Sequence, residues 1–415
     1  MTQFVAEAHP REQIPDSRLG SARRVFFIVT GSLCGLPVFV LAGQVQRSLG
    51  PRDATVAYLL GGAISGLLGA GSAYSGARTR HNLAMLAERS FGNVGSHAVR
   101  IVVSTCLVGW VGVILSVLGA TAADALGTLS PLRPDPMVVS YCAAVVVALI
   151  ALRGVGALEK AGLVIAPLLA VLLLLSMNST CPILTPRVEL ERADNLSLGA
   201  AVSAVVGMYI VGIVVQPDYG RYVRAPIMAA LSSGLALAVA FPCILIFSAL
   251  PATRCGAKDL IAVLISQGFG QMALALLVLG AWIDASVSLY SGALSLTNQF
   301  RLNLPWVVIL ITAVSCALVS LHADRHLLPY LGGLSVALPP IATVHAFHAL
   351  IRDLPKPEPQ AFRWGPILAW LLGSLTGVGS QLHLWTLTGV ATLDSVAASA
   401  AVLLALLILG SRTPT

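Results

Sequence analysis

LVLGAWIDASVSLYSG, residues 277–292, sets one carboxylate, Asp284, inside an apolar run from Met272 to Leu296. Holding a carboxylate near the middle of a membrane costs roughly 3 kcal/mol or more, so such a residue is rarely idle. Trp282, Ser286, Ser288 and Tyr290 flank it. One stretch of helix thus offers an acid, an indole and hydroxyls. That set suits a site handling a charge beside a flat, aromatic ligand.

The rest of the chain supplies the membrane around that acid. Hydrophobic residues make up 57% of the 415 and charged residues 10%, against about 25% charged in soluble domains. Apolar runs of about 18 residues or more, enough to cross the hydrocarbon, recur from Val25 to Leu409. Twelve spans are expected, near 25–46, 56–75, 99–119, 137–153, 160–177, 197–215, 226–248, 270–297, 304–321, 328–350, 365–382 and 390–409. With both termini inside, Lys and Arg favour the inner segments by about two to one, as the positive-inside rule requires. The net charge of +7 is explained by this bias, and no nucleic-acid partner is expected. Residues 1–24 are polar and lack the pattern of a cleavable signal. Cys181 and Cys255 fall in outer loops, and nothing in their spacing demands a disulfide.

Proline and glycine mark where spans depart from plain helices. In span 1, Gly35-Leu36-Pro37 is either a mid-membrane break or a simple kink. A break survives at that depth only where the freed backbone lines a cavity or binds something. Span 2 carries Gly61, Gly62, Gly66 and Gly69, a close-packing stripe and not a dinucleotide fingerprint, which needs a preceding strand. In span 3, Trp110 stands between Gly109 and Gly112. The glycines either leave a ring face open for stacking, or the indole is only packed. Span 6 has Gly207 and Gly212 around Tyr209, which makes it a second glycine-interrupted span. Spans 1 and 6 open two five-span halves, the pattern of inverted repeats with a midplane site. Span 10 contains Pro339-Pro340, a bend, followed by His345 and His348, which lack a third metal ligand nearby.

Four motifs in order, VGWVGV around Trp110, DYGRY after span 6, LGAWIDASVSLYSGALSLTN and LGGLSVALPPIATVHAFHALI, resemble the nucleobase–cation symporter family, at its cytosine-permease branch. The resemblance covers spans 1 to 10. It implies an all-α leucine-transporter-like fold: two inverted five-helix repeats at 25–177 and 197–350, and two further helices at 365–409. By the same resemblance, the substrate site would include Trp110, Leu107, Tyr209, Gly207, Trp282 and Gly35. The cation or proton site would include Gly35, Val38, Trp282, Asp284, Ala285 and Ser286. Leu107 stands where the family has glutamine and Trp282 where it has asparagine. Ala285-Ser286 replaces two adjacent hydroxyls, unless the alignment slides and puts Asp284 itself on one of those positions.

The expectation is a secondary transporter in a bacterial cytoplasmic membrane. It would import a nucleobase or related planar heterocycle with Na⁺ or H⁺, with no other cofactor. Two alternatives are a sensor that keeps the fold without coupling, and an intramembrane enzyme. The enzyme reading lacks a second acid or base at the depth of Asp284.

Overall fold

Span 1 consists of two helices, because Pro37 has no N–H to give to the Leu33 carbonyl one turn back. The computed structural model describes residues 13–129, 134–153, 167–168, 171–174, 176, 196–255, 260–268, 270–300, 302–350 and 360–410. Helix α1, Arg23–Ser32, ends there, and α2, Leu36–Thr79, begins with Pro37 in its first turn. Between them Gly35 is extended (φ −87°, ψ 155°). The proline starts a helix and does not kink one. Helix α2 holds the rest of span 1 and all of span 2, which meet at Gly50. Gly50 has φ 80° and ψ 167°, a conformation that glycine alone adopts cheaply, and Pro51 opens the next turn.

The remaining elements follow the expected spans. They are α3, Leu83–Phe91; α4, Asn93–Leu129; α5, Pro136–Arg153; α6, Leu198–Val215; α7, Pro217–Gly220; α8, Pro226–Leu235; and α9, Phe241–Cys255. After these come α10, Leu260–Ser266; α11, Gly270–Phe300; α12, Leu304–Ser320; α13, Leu327–Ala337; α14, Pro339–Leu350; α15, Trp364–Gln381; and α16, Ala391–Gly410. A single π-turn, Ala236–Ala240, joins α8 to α9 within span 7. Span 5, expected at 160–177, lies outside the described residues apart from short pieces. The outer loop that follows it lies outside as well. Seven of the described helices are long and apolar enough to cross a membrane, and Pro136–Leu152 and Leu304–Ser320 are shorter apolar ones.

Small residues set the helix contacts. A methyl added at Gly66 would come 2.7 Å from the Ala238 Cβ, and one at Gly61 within 2.6 Å of Val205. The stripe in span 2 therefore lets α6 and span 7 approach closely. Hydroxyls tie spans together where no water is at hand: Ser72 donates to the Ile213 carbonyl at 2.6 Å and Ser140 to the Leu115 carbonyl at 2.9 Å.

The structure corrects three expectations. Span 6 is not interrupted, since α6 runs unbroken through Gly207 and Gly212. Glycine permits a break but does not impose one, and no proline lies within α6. The Gly207 surface lies directly against the Leu331 backbone of span 10, so this glycine serves packing. The space at the glycines beside Trp110 is filled by neighbours: a methyl added at Gly109 would lie 2.9 Å from the Tyr330 ring and one at Gly112 2.8 Å from Leu318, so both serve packing. Cys255 is disulfide-bonded, while Cys181 lies outside the described residues. Sequence spacing carries no information about loops that only the fold brings together.

The bend in span 10 matches its proline pair. Pro340 cannot donate to the Val336 carbonyl, and Ile341 donates to Leu338 at 3.0 Å, leaving the Ala337 carbonyl free. Ser395 of α16 donates to Val336 at 2.9 Å, and the Trp370 indole of α15 to Ala337 at 3.0 Å. Spans 11 and 12 thus complete the hydrogen bonding that the bend removes.

Candidate functional site

The break in span 1 faces span 8. A methyl added at Gly35 would sit 3.5 Å from the Asp284 Oδ2. That carboxyl is also hydrogen-bonded by the Trp110 side chain of α4. The Tyr209 hydroxyl of α6 lies within electrostatic reach of Asp284 and is hydrogen-bonded to Ser32, at the end of α1, and to Tyr219. Tyr219 in turn donates to the Gly212 carbonyl at 3.2 Å. Four of the sequence candidates, Gly35, Trp110, Tyr209 and Asp284, therefore meet in one place, drawn from spans 1, 3, 6 and 8.

Ser32 and Tyr219 complete the cluster and were not picked out by sequence reasoning. Both lie in stretches already singled out, next to the break and just past the end of span 6. Their hydroxyls there were the only available signal. Ser288 is four residues beyond Asp284 and so shares its face of α11.

The other candidates are arranged differently. Residues two apart on a helix point about 200° away from each other. Trp282 and Ser286 therefore turn away from the face that carries Asp284. The Ser286 hydroxyl and the Trp282 indole nitrogen are both buried without a partner. Span 8 does not present acid, indole and hydroxyl to a single space, contrary to the expectation. Ala285 is fully buried. Leu107 packs toward span 8, its Cβ 3.4 Å from where a methyl at Gly292 would lie. Gly207, two residues before Tyr209, faces span 10 instead of the ring. Val38 is buried, and its N–H donates to the Gly35 carbonyl at 3.1 Å. His345 stands edge-on to Phe91, and His348 Nδ1 lies 3.1 Å from the Ser90 hydroxyl. Among the described residues, no group of three or more His, Cys, Asp or Glu is placed to hold a metal ion.

A carboxylate that meets a broken helix, with an indole and a phenol alongside, can neutralise a cation or carry a proton next to a flat ring. Comparison with known proteins shows the family and the fold. Residues 13–352 match the family described as permease for cytosine/purines, uracil, thiamine, allantoin. The cytosine permeases of Escherichia coli O157:H7 and of strain K12 are each 24% identical over 370 residues, covering 86% of this chain and 86% of theirs. Among solved structures, the chain superposes on Mhp1, a nucleobase-cation-symport-1 family transporter. The TM-score is 0.74 for its inward-facing form, at 15% identity over 97% of this chain and 95% of that one. For its closed form with bromovinylhydantoin bound, the TM-score is 0.71, at 16% identity over 96% and 94%. A Na⁺-coupled sialic acid symporter matches with a TM-score of 0.59, at 11% identity over 94% and 96%. The fold is thus the leucine-transporter-like one, and the chain belongs to the family of permeases for cytosine/purines, uracil, thiamine and allantoin, a membrane transporter and not an enzyme.

Proposed function

We propose that this transporter imports a nucleobase or related small planar heterocycle together with Na⁺ or H⁺, by alternating access across a bacterial cytoplasmic membrane. Both termini lie on the inner side. The observation that carries the coupling is the Asp284 carboxyl at the break of span 1, 3.5 Å from the Gly35 methyl position. Pro37 leaves the Leu33 carbonyl without its helical donor. Carbonyls and a carboxylate are all acceptors, so a cation or a proton is what such a junction lacks. Gly35 and Val38 contribute backbone, Asp284 takes the charge, and Ser288 adds a hydroxyl from the same face. Trp110 and Tyr209 stack the ring, an arrangement worth about 0.5–1.5 kcal/mol beyond area.

The curated relatives are cytosine permeases. By the family resemblance, Leu107 stands where an amide would read cytosine's polar edge. A site built without that amide favours a different heterocycle.

Asp284→Asn in proteoliposomes tests the coupling. The variant should lose concentrative uptake of labelled heterocycle while exchange of labelled for unlabelled compound continues. Imposing a Na⁺ gradient or a pH gradient separately identifies the cation. Concentrative uptake at the wild-type rate would remove Asp284 from the mechanism.

A further inference from the structure

The connection from α15 to α16 is apolar where a water-facing loop would carry charge. From Trp364 to Leu393 the chain has no Asp, Glu, Lys or Arg. Every residue from Gln381 to Gly389 is exposed, and Leu382, Leu384, Trp385 and Leu387 are 51–71% exposed. The loop nevertheless has a fixed shape. Asp394, fully buried in the first turn of α16, accepts from the Ser380 and Thr386 hydroxyls at 2.6 and 3.2 Å. It also accepts from the Leu387 N–H at 3.1 Å, and from the N–H and hydroxyl of Thr388 at 2.9 and 2.7 Å. Of the nine N–H groups from Leu382 to Val390, seven donate within the protein. The Trp385 ring doubles back along α15. Its N–H donates to the Thr376 carbonyl at 3.2 Å, and a methyl added at Gly379 would run into the ring.

We propose that residues 382–388 form a membrane anchor, seated in the bilayer at the edge of its hydrocarbon core. The partner that covers this face is lipid. The face is continuous with the exposed Leu368, Leu371, Leu372 and Leu375 of α15, and it leads into α16, which is long and apolar enough to cross a membrane. At 18 residues α15 is about 27 Å long, close to the ~30 Å of hydrocarbon. Its end, where the loop begins, therefore falls at the membrane boundary, the level at which tryptophan collects. An indole at that level ordinarily turns its N–H to the wet side. Here Thr376 takes that N–H, so the ring can lie below the headgroups. Backbone that meets lipid must find its hydrogen bonds inside the protein, and Asp394 supplies them. The anchor does not depend on which compound or cation the transporter carries.

The full-length protein is placed in phosphatidylcholine nanodiscs, whose two faces are both open to solvent. The fluorescence of the wild type minus that of Trp385→Phe isolates the Trp385 emission. In discs of phosphatidylcholine brominated at a shallow acyl position, most of that emission should be lost, while iodide in the water should leave it. Leu387→Trp adds an indole at the most exposed of the four positions. Its added emission should behave in the same way, and it serves if Trp385→Phe does not fold. Emission quenched by iodide and not by brominated lipid overturns the proposal, since the loop then stands in water. Protection from both quenchers also overturns it, since protein then covers the loop, and two chains per disc would identify that protein as a second copy.

Discussion

Spans 1 and 10 are both opened by proline at membrane depth, yet they are completed in opposite ways. In span 10 two carbonyls freed at the bend receive donors from the protein: Ser395 on Val336, which Pro340 cannot reach, and Trp370 on Ala337, which Ile341 leaves by bonding Leu338. In span 1 the closest side chain from another element at the Gly35 position is Asp284, which when ionised only accepts. The protein closes one gap with its own donors, whereas on the function proposed above a cation or a proton completes the other. A proline bend therefore marks a ligand site only when its freed groups meet more acceptors. When they meet donors, the bend is architecture.

Pro37→Ala attacks the open gap and should have the largest effect. Alanine restores the N–H that the Leu33 carbonyl lacks and removes a residue about 3 kcal/mol unfavourable in a helix interior. Span 1 should then run straighter. Uptake should fall at least about tenfold while the unfolding midpoint holds or rises, since a shift of 1.4 kcal/mol in the population of the broken form is already tenfold. Uptake at the wild-type level would show that tertiary contacts alone keep the break open.

Ser395→Ala attacks the closed gap. It strands the buried Val336 carbonyl, at a cost of about 1–3 kcal/mol. The expected outcome is a lower unfolding midpoint with transport per folded molecule unchanged. A transport defect without a stability loss would mean that the span 10 bend is itself part of the moving machinery.

The same contrast explains what the sequence made legible. Proline acts through its own covalent structure, so the break at Pro37 and the bend at Pro339-Pro340 were readable from the residues. An isolated acid in an apolar run was equally plain, and it does lie at the break. Glycine acts through whatever approaches it, and that partner is distant in sequence. Gly207 and Gly212 therefore suggested an interruption, whereas one contacts the Leu331 backbone and the other the Tyr209 ring of its own helix. Gly109 and Gly112 suggested an open ring face, whereas Tyr330 and Leu318 pack against the glycines themselves. Trp282 and Ser286 were grouped with Asp284 because they are close in sequence, although helical geometry sends residues two apart in opposite directions. Ser32 and Tyr219 carry no pattern of their own, and only the fold brings them to Tyr209.

The smallest expected effect concerns the inner end, where the tail joins the two halves. Gly20 accepts from the Arg224 N–H at 3.3 Å and donates to the Tyr222 carbonyl at 2.8 Å, linking the start of span 1 to the segment after span 6. His81 lies beside this link, in the turn after α2, with Arg89 and Arg221 near it and Gln13 in contact. Its imidazole is held down from 6.5 to about 4, first by burial and then by those two guanidinium groups. Between these values the unfolded chain binds a proton that the folded chain refuses, so stability rises with pH across that window and is constant above it. The contribution is therefore complete above 6.5 and disappears as the pH falls toward 4. His81→Phe removes the titration, so the gap between variant and wild-type unfolding midpoints should change across this window and stay flat above it. A gap independent of pH would show that His81 titrates alike in the folded and unfolded chain, and that the inner link is held by Gly20 and its partners alone.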